Sequence, residues 1–285
     1  MPAPTRHAAA AALVALLNAC ATQPGDAISG AVTPTAKPAK PSATAWRDDF
    51  SGTTLHGRWS VSNGLWPAFW IRNGLSGSFN ASNVTLNGSG QLVMKLAVQR
   101  NADGTYTASA AELATTGTYG YGVYEARMRA ASTSSDPAAP GASASGNVSA
   151  FFNYINDSET EINQEVEGHR PTKVTIGAWK TTASHFCAPD LTENCVLGAT
   201  NPEQDLTQDF HTYRWVWRSG SVAFYLDGVL QWSVANTKRV PSTPARVMLN
   251  FWPTNSAAWG GLASAPADGT PQTLYMLVDY VSFTP

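Results

Sequence analysis

Charged side chains are scarce in this chain: Asp, Glu, Lys and Arg make up 13% of its 285 residues, about half the usual share. The formal net charge is −2 and no cluster of Lys or Arg occurs, so the sequence offers no electrostatic footprint for nucleic acid. A neutral polymer is a better match for such a surface. Hydrophobic residues nevertheless reach 43%, which is enough to bury the core of one large domain and excludes disorder throughout.

Sustained helical periodicity is also absent. Alternating apolar and polar runs are separated by turn sequences at 87–90, 103–104, 219–221 and 227–228, which read Asn-Gly-Ser-Gly, Asp-Gly, Ser-Gly-Ser and Asp-Gly. Many short strands without intervening helices predict an all-β fold, a two-sheet sandwich or jelly roll. Between two of the predicted strands, the Ala-, Ser- and Pro-rich segment 130–146 is expected to be an inserted loop.

Large apolar residues are nearly missing from 21–45, which predicts a flexible linker ahead of a folded domain at 46–285. Residues 1–20 combine a basic start with an apolar run too short to span a bilayer, so we expect an export signal. Its end, Leu-Asn-Ala-Cys, resembles a lipoprotein processing box in which Cys20 becomes lipidated. The predicted location is therefore the outer membrane or cell surface through a lipid anchor, with periplasmic or secreted protein as the alternative.

Cysteine is rare, with three in the whole chain. Besides Cys20, the two others are Cys187 and Cys195, and export to an oxidising compartment predicts a disulfide between them. A metal site at these cysteines lacks the ligand spacing and the partner histidines. No sequence feature indicates oligomerisation, so we expect a monomer.

The few acids of the chain are concentrated at 158–168, SETEINQEVEG. If 159–167 is a strand, its odd-numbered residues share one face, which reads Glu, Glu, Asn, Glu, Glu. A solvated edge strand is the simple alternative, but like charges along one strand repel each other. The Cα atoms of Glu161 and Glu165 would lie roughly 13 Å apart, and inclined side chains can bring the carboxyl groups to the separation of about 5 to 5.5 Å used in retaining glycoside hydrolysis. Asn163 between them can hydrogen-bond the nucleophile.

The motif Glu161-Ile-Asn-Gln-Glu-Val-Glu-Gly168 resembles the Glu-Ile-Asp-x-Glu signature of glycoside hydrolase family 16. Stretches at 111–125, 149–152, 210–217 and 248–253 are similar to the bacterial lichenase branch in the same order, so the resemblance covers roughly residues 50 to 285. It implies a β-jelly roll with two antiparallel sheets and a concave cleft. It also implies that Glu161 is the nucleophile and Glu165 the acid/base of an endo-glycosidase acting on a β-glucan or β-galactan.

Asn163 departs from this resemblance, because the family has Asp at that position. Asn keeps a hydrogen-bond donor and an acceptor but removes a negative charge, which should ease ionisation of Glu161. Asn163 therefore keeps open a carbohydrate-binding protein without catalysis on the same scaffold. A transglycosylase using the same site is a second alternative, because a covalent glycosyl-enzyme can pass its sugar to an acceptor hydroxyl. A third alternative is a structural surface lipoprotein with an acidic, cation-binding strand.

The resemblance further implies residues that bind a polysaccharide substrate by stacking and hydrogen bonding. These candidates are Trp70, Glu112, Trp179, Asn250 and Trp252, with Trp66 and Trp259 as further aromatic candidates. Ala114 and Gly177 replace an Arg and an Asn of the lichenases, which argues against a simple transfer of lichenase specificity.

A structural metal site is a separate expectation from the resemblance. Asp279 aligns with an aspartate that, in related enzymes, holds Ca²⁺ together with a backbone oxygen near Gly90, and oxygen ligands suit that ion. We expect no cofactor for catalysis.

Overall fold

The computed structural model describes residues 44–66, 73–156, 159–180, 196–198, 204–237 and 240–285. Within these ranges the chain forms β-strands, one 3₁₀ turn at Ala81–Asn83, and no α-helix. Cys20, Trp70, Cys187 and Cys195 lie outside the described residues, as do the predicted export signal and nearly all of the predicted linker. No helix among the described residues is long and apolar enough to cross a membrane.

The described strands are, in the first half of the chain, β1 (Trp46–Asp48), β2 (Trp59–Val61), β3 (Gly64–Leu65), β4 (Leu75–Phe79), β5 (Val84–Leu86), β6 (Leu92–Arg100), β7 (Tyr106–Thr115), β8 (Gly122–Thr133) and β9 (Asn147–Ile155). They continue with β10 (Thr160–Glu167), β11 (Lys173–Trp179), β12 (Val196–Gly198), β13 (His211–Arg218), β14 (Ser221–Leu226), β15 (Val229–Ala235), β16 (Arg246–Pro253) and β17 (Gln272–Thr284). The all-β prediction is confirmed.

The strands form two layers, which we name the front and back sheets. The front sheet has the order β2-β7-β16-β9-β10-β11-β12, and all of its pairings are antiparallel. The back sheet has the order β15-β14-β13-β8-β17-β6, with β1 beside β17 and with β5, β7, β4 and β3 beyond β6. Strand β7 belongs to both sheets, because its first half pairs with β6 and its second half with β16.

A single large apolar core fills the space between the layers. Trp59, Trp215 and Trp217 lie in it. From the front sheet, Ile162 and Val166 of β10 point into this core. Because side chains alternate along a strand, the odd-numbered residues of β10 must face the other way.

The predicted turns are found at the expected places. Asn87 and Gln91 close the β5–β6 turn by a backbone hydrogen bond of 3.0 Å. Asp227 and Gly228, which join β14 to β15, have φ of 48° and 79°, the left-handed pair that a tight two-residue hairpin requires.

The predicted loop at 130–146 is too long at its beginning. Strand β8 continues to Thr133, because Ala130 and Ala131 are each 1% exposed and the first of them packs in the core while its N–H donates to the carbonyl of Leu206 at 3.1 Å. The connection to β9 therefore spans only 134–146. Alanine-rich composition indicated a loop, but small side chains here allow close packing of a buried strand.

Candidate active site

The acidic residues of β10 lie on the face of the front sheet that is turned away from the core; we call it the site face. Glu161, Asn163 and Glu165 share it, as predicted, and are 3%, 2% and 4% exposed. Such low exposure excludes the alternative of a solvated edge strand, and β9 and β11 flank β10 on both sides.

Glu159 does not belong to this row, although the sequence pattern included it. Strand β10 begins one residue later, and the N–H of Glu159 donates to the carbonyl of Asn156 in a turn. Its carboxylate accepts hydrogen bonds from Asn156 at 3.1 Å and from Thr243 at 2.7 Å. These local bonds hold Glu159 at the edge of the sheet, away from the pair.

Strand register brings the predicted polar residues together in one row across the sheet. Glu165 pairs with Ala150 of β9, Ala150 with Asn250 of β16, and Asn250 with Glu112 of β7. On the other side of β10, Glu165 pairs with Thr175. Residues more than 130 positions apart in the chain therefore line one strip of the site face.

Glu112 is anchored within this strip. Ser62 donates to one of its carboxylate oxygens at 2.6 Å and Asn250 to the other at 2.7 Å. Burial raises the pKa of Glu112, while these two hydrogen bonds and the charge of Arg246 act in the opposite direction. The side-chain oxygen of Asn250 is buried and has no hydrogen-bond partner among the described residues.

Aromatic side chains surround the carboxylates on the same face. They belong to one hydrophobic cluster, called below the aromatic cluster, which consists of Val148, Ala150, Phe152, Trp179, Trp252 and Trp259, with Tyr154 and Met248 packed against it. Trp252 was predicted for this role, whereas Trp66 packs in the main core. Phe152 and Tyr154 were not predicted; their alternation with core-facing residues along β9 was the available signal. Trp259 lies between strands, where no periodicity can assign a face.

Trp179 was predicted to stack against the substrate, but its ring is packed among neighbouring residues of the site face. It pairs with Glu161 across β10 and β11 and is 1% exposed. Its six-membered ring covers Gly177: a Cβ atom at that glycine would lie 2.0 Å from Cη2 of Trp179 and 2.8 Å from Oδ1 of Asn163. Gly177 thus leaves the space in which the indole packs beside Asn163.

The two central carboxylates have different surroundings. The carboxylate of Glu161 accepts from Nδ2 of Asn163 at 3.3 Å. No hydrogen bond to the Glu165 carboxyl is found within the described part of the chain. Burial, followed by the negative charges of Glu161 and Glu167, raises the pKa of Glu165 well above the ordinary value of a glutamate. A proton is therefore held on Glu165 to higher pH than on an exposed acid.

The proposed calcium ligands lie away from this face. The carboxylate of Asp279 is 2.7 Å from the guanidinium of Arg127, which is an unfavourable neighbour for a cation. A Cβ atom at Gly90 would lie 3.6 Å from the backbone oxygen of Asp49. No group of three or more His, Cys, Asp or Glu residues suited to a metal is found in the described ranges. Calcium binding at Asp279 stays a prediction.

The two-sheet fold and the paired carboxylates define a class, the jelly-roll glycoside hydrolases. Within it, the chain belongs to glycosyl hydrolases family 16, whose model matches residues 72–269. The resemblance found in the sequence is thereby confirmed.

Individual relatives agree with this assignment. A β-glucanase of Acetivibrio thermocellus is 33% identical over 176 residues, which cover 60% of this chain and 45% of that protein, so the match spans less than half of its length. A β-glucanase of Paenibacillus polymyxa is 29% identical over 212 residues, covering 73% and 76%. The structure of Bacillus licheniformis β-glucanase shares the fold, with a TM-score of 0.66 at 23% identity over 86% of this chain and 99% of that one.

Proposed function

We propose that this protein is an endo-acting glycoside hydrolase that cleaves internal β-bonds of a β-glucan with retention of configuration. The observation that carries the proposal is the buried pair Glu161 and Glu165, which lie on one face, two residues to either side of Asn163. Glu161 accepts a hydrogen bond from Asn163, whereas the pKa of Glu165 is raised. The printed name of several relatives, β-glucanase, supports a glucan over a galactan as the polymer.

In the proposed reaction the carboxylate of Glu161 attacks the anomeric carbon. As the bond to the leaving oxygen breaks, Glu165 gives its proton to that oxygen. Water then enters, Glu165 takes a proton from it, and the resulting attack releases the sugar from Glu161. The raised pKa of Glu165 supports its role as the acid, and the amide of Asn163 beside Glu161 supports an ionised nucleophile.

The site face also carries suitable groups for binding a sugar chain. Trp252 and Trp259 pack in the cluster of this face and are 8% and 4% exposed. Sugars stack their CH faces on rings of this kind. The unpaired side-chain oxygen of Asn250 can accept from a sugar hydroxyl, because it lacks a partner in the described part of the chain. Glu112 holds that amide in place.

The test is release of reducing ends by the purified protein from β-1,3-, β-1,4- and mixed-linkage glucans and from β-galactans. We expect activity on a glucan, loss of turnover in Glu161→Ala, and a loss of about 10²- to 10⁴-fold in Glu165→Ala. Glu159→Gln is the matched control, because it removes an acid from the same segment but outside the site face. Proton NMR of fresh products should show the β-anomer first. Unchanged turnover in Glu161→Ala refutes the proposal.

Asn163 favours one competing function, a carbohydrate-binding protein without turnover, because the family aspartate is missing there. Retention on a polysaccharide without new reducing ends, unaltered in Glu161→Ala, would identify that function. Products longer than the substrate would identify a transglycosylase, since a glycosyl-enzyme can pass its sugar to another sugar hydroxyl.

Export and lipidation are proposed from the sequence alone. Cys20→Ala should move the protein from the membrane fraction to the soluble fraction of the producing cell if Cys20 carries the anchor. An unchanged distribution contradicts lipidation at this residue. Mass spectrometry of the unreduced protein tests the proposed disulfide between Cys187 and Cys195.

A further inference from the structure

The proposed mechanism uses two of the three glutamates that β10 places on the site face. The third, Glu167, is two residues beyond Glu165 and is 2% exposed. Burial of a charged carboxylate is costly unless donors and opposite charges compensate it. The surroundings of Glu167 therefore decide whether it is charged.

Glu167 has such compensation from three separate segments. Thr175 of β11 donates to its Oε1 at 2.8 Å, and the backbone N–H of Gly260 donates to Oε2 at 2.8 Å. The guanidinium of Arg170 forms a salt bridge with Oε1. His169 lies 3.6 Å away, but burial lowers its pKa despite the neighbouring acid, so the ring adds no stable positive charge at neutral pH. These donors and the opposite charge compensate the burial of a charged carboxylate.

The contrast along β10 is the essential observation. Glu161 accepts from Asn163, Glu167 accepts from three partners, and Glu165 between them has no hydrogen-bond donor in the described residues. Ionisation of Glu165 would place a third negative charge in one buried row without a donor. The protonated form of Glu165 is the arrangement that this row stabilises.

Other charged groups near this face do not cancel that effect. Neighbouring elements bring six other charged or titratable side chains toward the site face. These are Tyr154 on β9, Lys173 at the start of β11, Glu112 on β7, Arg246 on β16, and His169 and Arg170 after β10. Lys173 and Arg246 are exposed, so water screens them. Arg170 is the cation in direct contact with the row, and it contacts Glu167 rather than Glu165.

Glu167 also ties the row to an aromatic wall. Its bond to the N–H of Gly260 fixes the residue next to Trp259, which packs in the aromatic cluster of the site face. A Cβ at Gly260 would lie 2.4 Å from the Thr254 hydroxyl, so this part of the loop is closely packed against the end of β16. One carboxylate on the strand of Glu165 thus contacts the loop that carries a binding candidate.

We propose that Glu167 is a positioning residue of the active site: its fixed negative charge keeps the proton on Glu165, and its hydrogen bond to Gly260 holds the Trp259 loop at the site face. The inference rests on the proposed function for its kinetic meaning. It also gives a physical account of Asn163. The negative charge that the family signature places between the pair is absent here, and a charge beyond Glu165 acts on the acid/base instead.

The direct test measures the proton on Glu165 without using turnover. The full chain contains eight glutamates, few enough for the side-chain carboxyl signals of carbon-13-labelled protein to be assigned, with Glu165→Gln identifying the signal of Glu165. In Glu167→Gln we expect the titration midpoint of Glu165 to fall by about 0.5 to 1 pH unit, as for removal of one charge at about 7 Å partly neutralised by Arg170. Glu159→Gln should leave the midpoint unchanged.

Arg170→Gln supplies a variant of opposite sign. Removing the positive charge of Arg170 leaves the negative charge of Glu167 less neutralised, so the titration midpoint of Glu165 should rise. A general loosening that lets water into the site would instead lower the midpoint in both variants. If Glu167→Gln fails to fold, the direction in Arg170→Gln decides alone. An unchanged midpoint in Glu167→Gln, an equal fall in Glu159→Gln, or a fall in Arg170→Gln overturns the inference.

Kinetics then separate this inference from the proposed function. With an active wild type, the basic limb of the kcat/KM profile should move to lower pH in Glu167→Gln and to higher pH in Arg170→Gln. A wild type that releases no reducing ends refutes the proposed hydrolase, while the NMR titration still tests the coupling of Glu167 to Glu165. A shifted titration in an inactive protein therefore supports the inference and rejects the function.

Discussion

Gly177→Ala is the sharpest test of how the site face is packed. A Cβ at residue 177 would lie 2.0 Å from the Trp179 ring, whereas ordinary van der Waals contact begins at 3.4 Å, so the indole must move by more than 1 Å. Overpacking of this kind costs about 1–3 kcal/mol, which lowers the Tm by about 2 to 12 °C for a domain of this size. Because Trp179 pairs with Glu161, a displacement near 1 Å should also reduce kcat by about 10- to 100-fold.

The assay is thermal unfolding and kcat for Gly177→Ala, Trp179→Ala and the double variant. Removing the indole relieves the two shortest contacts and leaves the one of 2.8 Å to Oδ1 of Asn163. Adding Gly177→Ala to Trp179→Ala should therefore cost less stability than adding it to the wild type. Gly57→Ala is the matched control, since a Cβ there meets nothing within 4 Å. Equal Tm for Gly177→Ala and wild type, or full additivity in the double variant, refutes the packing of Trp179 over Gly177.

Three further variants test other parts of the site. Glu165→Gln should raise the Tm at pH 8 but hardly at pH 4. The pKa of Glu165 is raised in the folded protein, so its ionisation destabilises the fold as pH rises from about 4.3 through that raised pKa. An equal gain in Tm at both pH values contradicts this. Asn163→Asp should move the acidic limb of kcat/KM to higher pH, since a second carboxylate disfavours ionisation of Glu161; a limb that stays in place means that residue 163 does not act on the nucleophile. Asn250→Ala removes a hydrogen-bond donor from Glu112 and should cost about 1–3 kcal/mol of stability and raise the KM. An unchanged KM means that Asn250 does not bind the substrate.

The sequence predicted the site where the information is local. The two-residue alternation of Glu161, Asn163 and Glu165 assigned them to one face, and the structure has them there. Asp227-Gly228 likewise predicted its own hairpin, because the left-handed conformation is a property of the residues themselves.

What the sequence could not predict depends on contacts between distant segments. The donors of Glu167 come from a turn, a neighbouring strand and a loop some 90 residues away. Its surroundings are therefore fixed by tertiary structure. From the sequence alone, a glutamate at that position is equally compatible with a solvent-exposed residue at the edge of the site. Ala130 and Ala131 were misassigned for the same reason, since the core against which they pack is assembled from many strands.

The place of β17 in the back sheet has a consequence for how the protein is made. This last strand lies between β8 and β6 and also pairs with β1, more than 230 positions earlier in the sequence. The back sheet cannot close until that segment has been synthesised, and with so many non-local pairings its assembly should be slow. Until then β8 and β6 present unpaired edges that can associate with other chains. Expression at lower temperature, which slows synthesis and aggregation, should therefore increase the soluble yield.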